Sequence, residues 1–271
     1  MRIALAQCSS GTDPAENLRL VGELTREAAA AGAELVVFPE AMMCRFGVPL
    51  GDVAEPLDGP WARRVAEIAE ETGTAVIAGM FTPSGDGRVR NTLVIAVPGA
   101  PMRGYHKIHL YDAFGFAESA TVAPGDEPVV VEIAGHRVGV ATCYDIRFPA
   151  LFTELAGRGA ELIVVPASWG AGPGKREQWQ LLASARALDS ATFVAAVGQA
   201  EPDDPRVRES KAPTGIGYSR ISDPFGSVVA DHGSGQQLGV HDIDLSVVGK
   251  AREASAVLAN QRDIPRSGPN E

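Results

Sequence analysis

Cysteine is scarce: Cys8, Cys44 and Cys143 are the only three in a chain of 271 residues. The odd count and the lack of any Cys-x-x-Cys pair argue against a disulfide framework and against structural zinc. Basic runs are missing as well. Acidic residues outnumber basic ones 34 to 24 and the net charge is −10, so nucleic acid and anionic membrane are poor partners on charge alone. No apolar run approaches the length of a membrane span. The opening residues, Met1-Arg2-Ile3-Ala4-Leu5-Ala6-Gln7, lack the apolar core of an export signal. A cytoplasmic protein without membrane contact is the expectation. Repeats, low-complexity tracts and linkers are absent too. One domain over residues 1–271 is expected, with a Pro-rich extended tail over 264–271.

What is present is a strong alternation of strand and helix patterns. Arg2 to Gln7 reads as a strand. Asp13-Pro14-Ala15-Glu16 then opens a helix with an Asp cap, Pro at the first helical position and Glu in capping-box spacing, and Gly32 closes it. Glu34 to Phe38 is an apolar strand of the doubly buried kind. A helix from Gly59-Pro60 and strands over 74–81, 89–97 and 102–108 follow. The stretch 137–142 is a further strand, 149–156 a short helix and 162–166 another buried strand. A helix over 175–189 and a strand over 193–198 come next. Strands over 215–221, 226–230 and 239–243 precede a last helix over 245–254. Alternating elements followed by a run of strands predict an α/β fold of sheets sandwiched by helix layers, not a pure barrel.

Cys143 ends its strand just before a forced turn, because Pro149 disfavours helix at Phe148 and favours a helix starting at itself. A thiol so placed faces a cleft more readily than a core. Glu40 stands at the end of a buried strand, where α/β folds build their sites, and suits a general base. A solvated loop residue is its bland alternative. Lys107 lies among Tyr105, His106, Ile108 and His109. Facing inward it would stabilise an oxyanion; facing outward it is an ordinary surface lysine. In an extended chain His106 and His109 point to opposite sides and cannot share a metal, whereas a Cys143–His109 dyad stays open. Glu118 is either a second site carboxylate or a loop residue. Gly170-Ala-Gly-Pro-Gly-Lys175 has the wrong glycine spacing for a phosphate loop. Gly215-Ile-Gly217 is no dinucleotide loop, Asp242 and Asp244 read as a strand end, and Cys8 and Cys44 read as buried small residues.

Three ordered motifs carry a resemblance over nearly the whole chain: Val37-Phe38-Pro39-Glu40, Tyr105-His106-Lys107-Ile108-His109-Leu110, and Gly139 to Pro149 around Thr142-Cys143-Tyr144-Asp145. Phe116-Ala-Glu118-Ser119, Pro166-Ala-Ser-Trp169 and Ala185-Arg186-Ala187 support them. The chain resembles the nitrilase superfamily of carbon–nitrogen hydrolases. That resemblance implies a Glu40–Lys107–Cys143 triad on a four-layer α-β-β-α sandwich of two mixed six-strand-type sheets, usually paired into a dimer. It raises Glu118 to the second glutamate beside the triad. Tyr144 and Arg147-Phe148-Pro149 look like the amidase branch that includes omega-amidase and deaminated glutathione amidase. His106, Ala150 and Asp189-Ser190 depart from residues frequent there.

The implied chemistry is hydrolysis of a small amide, through a cysteine thioester, with no metal and no organic cofactor. Its substrate is a short carboxylate-bearing ω-amide, and Tyr144, Arg147 and Trp169 are expected in the pocket wall, Arg147 as a carboxylate partner. An N-carbamoyl compound or a nitrile is the alternative substrate for the same triad. Alternatives of other classes are a non-catalytic binder of an acyl metabolite and a redox-sensing thiol, the latter without a resolving cysteine nearby.

Overall fold

The computed structural model describes residues 1–262; the tail expected over 264–271 lies outside them. In chain order the first half contains β1 (Arg2–Gln7), α1 (Pro14–Ala30), β2 (Leu35–Val37), α2 (Pro60–Thr72), β3 (Ala75–Pro83), β4 (Val89–Ala96) and β5 (Arg103–His106). Then come β6 (Val129–Ile133), β7 (His136–Val140), α3 (Pro149–Gly157), β8 (Leu162–Ala167), α4 (Lys175–Ser190) and β9 (Phe193–Gly198). A single turn of helix, α5 (Pro205–Arg208), precedes β10 (Arg220–Ser222), β11 (Val228–Asp231), β12 (Gln237–Asp242) and α6 (Val247–Ser255).

The strands form two six-stranded sheets of order β12-β1-β2-β3-β4-β5 and β11-β10-β9-β8-β7-β6. Each is mixed: β1, β2 and β3 run parallel, as do β7, β8 and β9, and the outer pairings are antiparallel. Side-chain alternation divides the burial. Ile3, Leu5, Leu35 and Val37 meet Val138, Val140, Leu162 and Val164 between the sheets. The opposite faces, with Ala4, Ala6 and Val36 on one sheet and Ile163 and Val165 on the other, pack under helices α1–α2 and α3–α4. The result is the expected α-β-β-α sandwich.

Local chemistry sets the element ends. Asp13 accepts from the Ala15 N–H at 2.8 Å to cap α1, with Pro14 inside the first turn. Gly73, at φ +67°, lets α2 stop where a side chain would be strained. Two expectations needed correction. The strand expected over 215–221 shrinks to Arg220–Ser222, because Gly215, Gly217 and Tyr218 all adopt positive φ. The strand β6 was not anticipated. Its signal is Val129-Val-Val-Glu-Ile133 before Ala134-Gly135, a two-residue turn with φ of +50° and +78° that folds β6 onto β7.

Strands β11 and β12 lie at matching edges of the two sheets, and a histidine pair joins them. His232, just after β11, and His241 on β12 face each other with Nε2 atoms 3.3 Å apart. Gly239 makes room, since a Cβ there would sit 2.6 Å from the His241 Nε2. Burial, then the neighbouring His241, pushes the His232 pKa down from 6.5 to about 4, with Asp231 pulling the other way. The unfolded chain therefore binds this proton more readily than the folded one. Stability from this site is complete above pH 6.5 and declines as pH falls toward 4. Melting curves from pH 7 downward should show that decline, and His232→Gln should flatten it. An unchanged slope in the variant would remove His232 as its source.

Candidate active site

Both sheets present the carboxyl ends of their parallel strands at one rim, the usual place for an α/β site. Glu40 follows β2, Cys143 follows β7, and Ser168 and Trp169 follow β8, while Lys107 lies directly beyond β5. The strand expected to reach Ile108 ends at His106, so Lys107 leaves the sheet; its backbone N–H still bonds the Asn91 carbonyl at 2.9 Å. Glu40, Lys107, Glu118 and Cys143 line a single cavity of about 340 Å³.

The polar contacts there are dense. Lys107 Nζ donates to Glu40 Oε1 at 3.0 Å and to Glu118 Oε2 at 2.9 Å, with Glu118 Oε1 at 3.2 Å. The Lys107 and Glu40 side chains are only 2 % and 1 % exposed. Asn91 Nδ2 donates to Glu40 Oε1 at 2.7 Å and lies 3.3 Å from Glu118 Oε1. Ser168 N–H donates to Glu40 Oε2 at 2.8 Å, and Tyr111 N–H to Glu118 Oε2 at 2.6 Å. Lys107 is therefore the inward lysine, and Glu40 and Glu118 are site carboxylates rather than solvated loop residues.

Electrostatics follow from this burial. Desolvation alone would lower the Lys107 pKa, but Glu40 and Glu118 hold it well above the ordinary lysine value. Burial, and then the Glu40 carboxylate, push the Cys143 thiol well above its ordinary value, against the pull of Lys107. The resting site thus combines an ammonium and a neutral thiol beside a carboxylate.

Backbone geometry supports both reactive ends. Cys143 has φ +47°, and Ala41, immediately after Glu40, has φ +57°. Such left-handed positions cost energy in non-glycine residues and persist where their surroundings fix them. Gln199 Nε2 holds the Glu40 carbonyl at 2.9 Å. Gly79 is obliged to be glycine, because a Cβ there would sit 2.8 Å from the Glu40 carbonyl carbon. At the other end, the turn expected between Cys143 and Pro149 takes the form of a short 3₁₀ helix over Cys143–Arg147. Asp145, fully buried, accepts from Thr142 N–H at 2.9 Å, Tyr105 Oη–H at 2.7 Å and His109 N–H at 2.9 Å. It ties that turn to the chain on both sides of Lys107.

His109 serves this scaffold. Its Nδ1 lies 2.8 Å from Asp145 and its ring stacks on Phe148 at 3.7 Å, so the site does not pair it with Cys143. His106 Nδ1 meets Thr92 Oγ1 at 2.9 Å. Tyr144, Arg147 and Trp169 line the cavity, with the Arg147 guanidinium 5.1 Å from the Trp169 ring centre. Lys175, set aside with its glycine-rich loop, also lines the cavity; its Nζ lies 3.7 Å from the Phe114 ring centre and 3.3 Å from Tyr111 Oη. Among the described residues no group of three or more His, Cys, Asp or Glu side chains is arranged to hold a metal.

Asn91, Asp145 and Lys175 are the site residues that sequence reasoning passed over. The available signals were an asparagine inside an otherwise apolar strand, and a lysine opening a helix beside the Pro166-to-Trp169 motif.

The carbon–nitrogen hydrolase family model matches residues 2–253. A hydrolase of Mycobacterium tuberculosis strain H37Rv is 65% identical over 270 residues, 97% of this chain and 96% of that protein. Deaminated glutathione amidase of Escherichia coli O157:H7 is 34% identical over 269 residues, 98% of each chain. A crystal structure of XC1258 from Xanthomonas campestris, a CN-hydrolase superfamily protein with an arsenic adduct in its active site, superposes with a TM-score of 0.84. It is 27% identical, covering 98% of this chain and 99% of that one. A buried thiol, carboxylate and ammonium at the rim of two stacked sheets, together with these matches over nearly the full chain, place it in a known lineage: the chain belongs to the carbon–nitrogen hydrolase family, the nitrilase superfamily.

Proposed function

We propose that the protein hydrolyses a short amide bearing a remote carboxylate, releasing ammonia and the free acid through a thioester on Cys143. One observation carries the amide chemistry: a neutral thiol shares one cavity with the Glu40 carboxylate and the Lys107 ammonium. A neutral thiol is a poor nucleophile and needs a base at the moment of attack. In the proposed cycle Glu40 takes the thiol proton as Sγ attacks the amide carbonyl. Lys107 and the Tyr144 backbone N–H stabilise the tetrahedral oxyanion; one such donor is typically worth roughly 3–4 kcal/mol. As the C–N bond breaks, Glu40 passes its proton to the leaving nitrogen, and ammonia departs. Water then attacks the thioester while giving a proton to Glu40. The intermediate expels the thiolate, which recovers that proton, and the carboxylic acid leaves. Glu118 keeps Lys107 in place throughout.

The remote carboxylate is inferred from charge. Arg147 and Lys175 open onto the cavity, and neither has a carboxylate partner among the described ion pairs. Burial, then repulsion from Arg147, lowers the Lys175 pKa. An anionic substrate end between them relieves both. The protein is further proposed to act as a cytoplasmic homodimer. Leu181, Leu188, Phe225, Val228 and Val229 are exposed along α4 and the neighbouring β11 edge, and a second copy would cover them.

Cys143→Ala should reduce ammonia release from monoamides of short dicarboxylic acids by roughly a thousandfold or more while leaving the melting temperature near the native one. Full activity in that variant would end the thioester reading. Arg147→Met and Lys175→Met should each lower kcat/KM for these monoamides roughly tenfold or more relative to neutral amides of equal length. Equal losses on both substrate sets would remove the remote carboxylate from the proposal.

A further inference from the structure

The side chain of Asn91 has no role in the cycle above, yet it sits at its electrostatic centre. On β4, beside the start of the Lys107 segment, Asn91 is 1 % exposed. Its Nδ2 lies 2.7 Å from Glu40 Oε1 and 3.3 Å from Glu118 Oε1. Lys107 Nζ lies 3.0 Å and 3.2 Å from the same two oxygens. The four groups close a ring in which each carboxylate oxygen faces one amide nitrogen and one ammonium. We propose that Asn91 is a positioning residue of this site: its amide bridges the two carboxylates around one lysine and confines proton traffic on Glu40 to Oε2.

The orientation of the amide follows from its neighbours. Turned over, Asn91 would set its Oδ1 against Glu40 Oε1, oxygen against carboxylate oxygen, so Nδ2 must face the acids. The Oδ1 atom is then buried without a partner. Leaving a buried acceptor unmade is costly, whereas an aliphatic residue of similar size in a strand this apolar would cost nothing of the kind. The amino group's two bonds are what offset that cost. They come where they are needed, because Glu40 and Glu118 share a single ammonium and two close carboxylates otherwise compete to hold a proton.

The ring also decides where a proton can go. With Oε1 taken by Asn91 and Lys107, only Oε2 of Glu40 is open to receive one. Its described donor is the Ser168 N–H, and the Ser168 carbonyl lies 4.0 Å from Cys143 Sγ. The thiol proton is thereby steered to Oε2 and returned from there to the leaving nitrogen. This inference rests on Glu40 being the base in the proposed cycle.

The test compares Asn91→Leu, which removes both donors, with Asn91→Thr, which keeps a single hydroxyl in a residue suited to a strand. In Asn91→Leu, kcat/KM should fall roughly tenfold or more, with the loss in kcat. The acid limb of its pH profile should move upward by about one pH unit, since the two carboxylates then share only Lys107. Asn91→Thr should lie between Asn91→Leu and the native protein, and it decides the matter alone if Asn91→Leu does not fold. A merely structural asparagine lowers activity without moving that limb, so an acid limb coincident with the native one in the folded variants overturns the proposal. A second readout needs no substrate: the pH dependence of Cys143 alkylation by iodoacetamide, followed by peptide mass mapping, should show the same displacement. If the native protein releases ammonia from no amide, the proposed function fails while alkylation still decides the role of Asn91.

Discussion

Burying two carboxylates and one ammonium at the rim of a sandwich is the constraint on which the rest of this structure depends. Removing such charges from water costs several kcal/mol per ion, and their attraction repays it only when every remaining lone pair and proton finds a partner. Glu40 and Glu118 share Lys107, and the excess negative charge is spread over donors that the fold must deliver: Asn91 from β4, Ser168 N–H from the end of β8 and Tyr111 N–H from the loop after Lys107. Those donors come from both sheets. Neither sheet could hold the site alone, so the packing of Ile3, Leu35 and Val37 against Val138, Leu162 and Val164 is a condition of the chemistry as much as of the fold.

The same constraint explains the strained backbone. Glu40 and Cys143 must both lean from strand ends into one cavity. The chain achieves this by placing Ala41 and Cys143 in left-handed conformations and by clearing space at Gly79. Strain of this kind survives only if its surroundings over-determine it. Gln199 does so for the Glu40 turn, and Asp145, gripped by Tyr105, His109 and Thr142, does so for the Cys143 turn. The residues that make the site reactive are thus one step removed from those that make it rigid.

This separation accounts for what could be read from the residues in order. Glu40, Lys107 and Cys143 announce themselves because each sits in a short motif at a strand end, and Glu118 follows once those motifs are aligned with a family. The sandwich is legible because strands buried on both faces and capped helices leave strong local patterns. Asn91 leaves none: an asparagine in Arg90-Asn-Thr-Leu93 resembles any strand polar residue until the lysine and both acids converge on it. Asp145 hides likewise, since its partners lie about forty residues back in the chain at Tyr105 and His109. Lys175 was passed over for a different reason. Its glycine-rich loop lacks the spacing of a phosphate cradle, yet the lysine still reaches the cavity because Trp169 Nε1 anchors the loop at the Lys175 carbonyl. The segment 215–221 was misread because its glycines were taken as strand residues, when Gly217 bonds Gln199 from a positive-φ turn.

The cavity that results is polar in the electrostatic sense. Its floor carries two acids against one ammonium, and its wall carries Arg147 and Lys175, neither of which pairs with an acid among the described residues. Within a low-dielectric pocket such a gradient would orient the proposed substrate, drawing its anionic end to the wall and leaving the neutral amide to face the thiol. It also keeps the thiol quiet. Burial and then the carboxylate beside Cys143 both favour the protonated form, so in the proposed cycle the thiolate would form only as Glu40 takes the proton. The charge arrangement that the proposed function would use to select a substrate is therefore also the one that favours the protonated thiol, and Cys143 is the one of the three cysteines that lines the cavity.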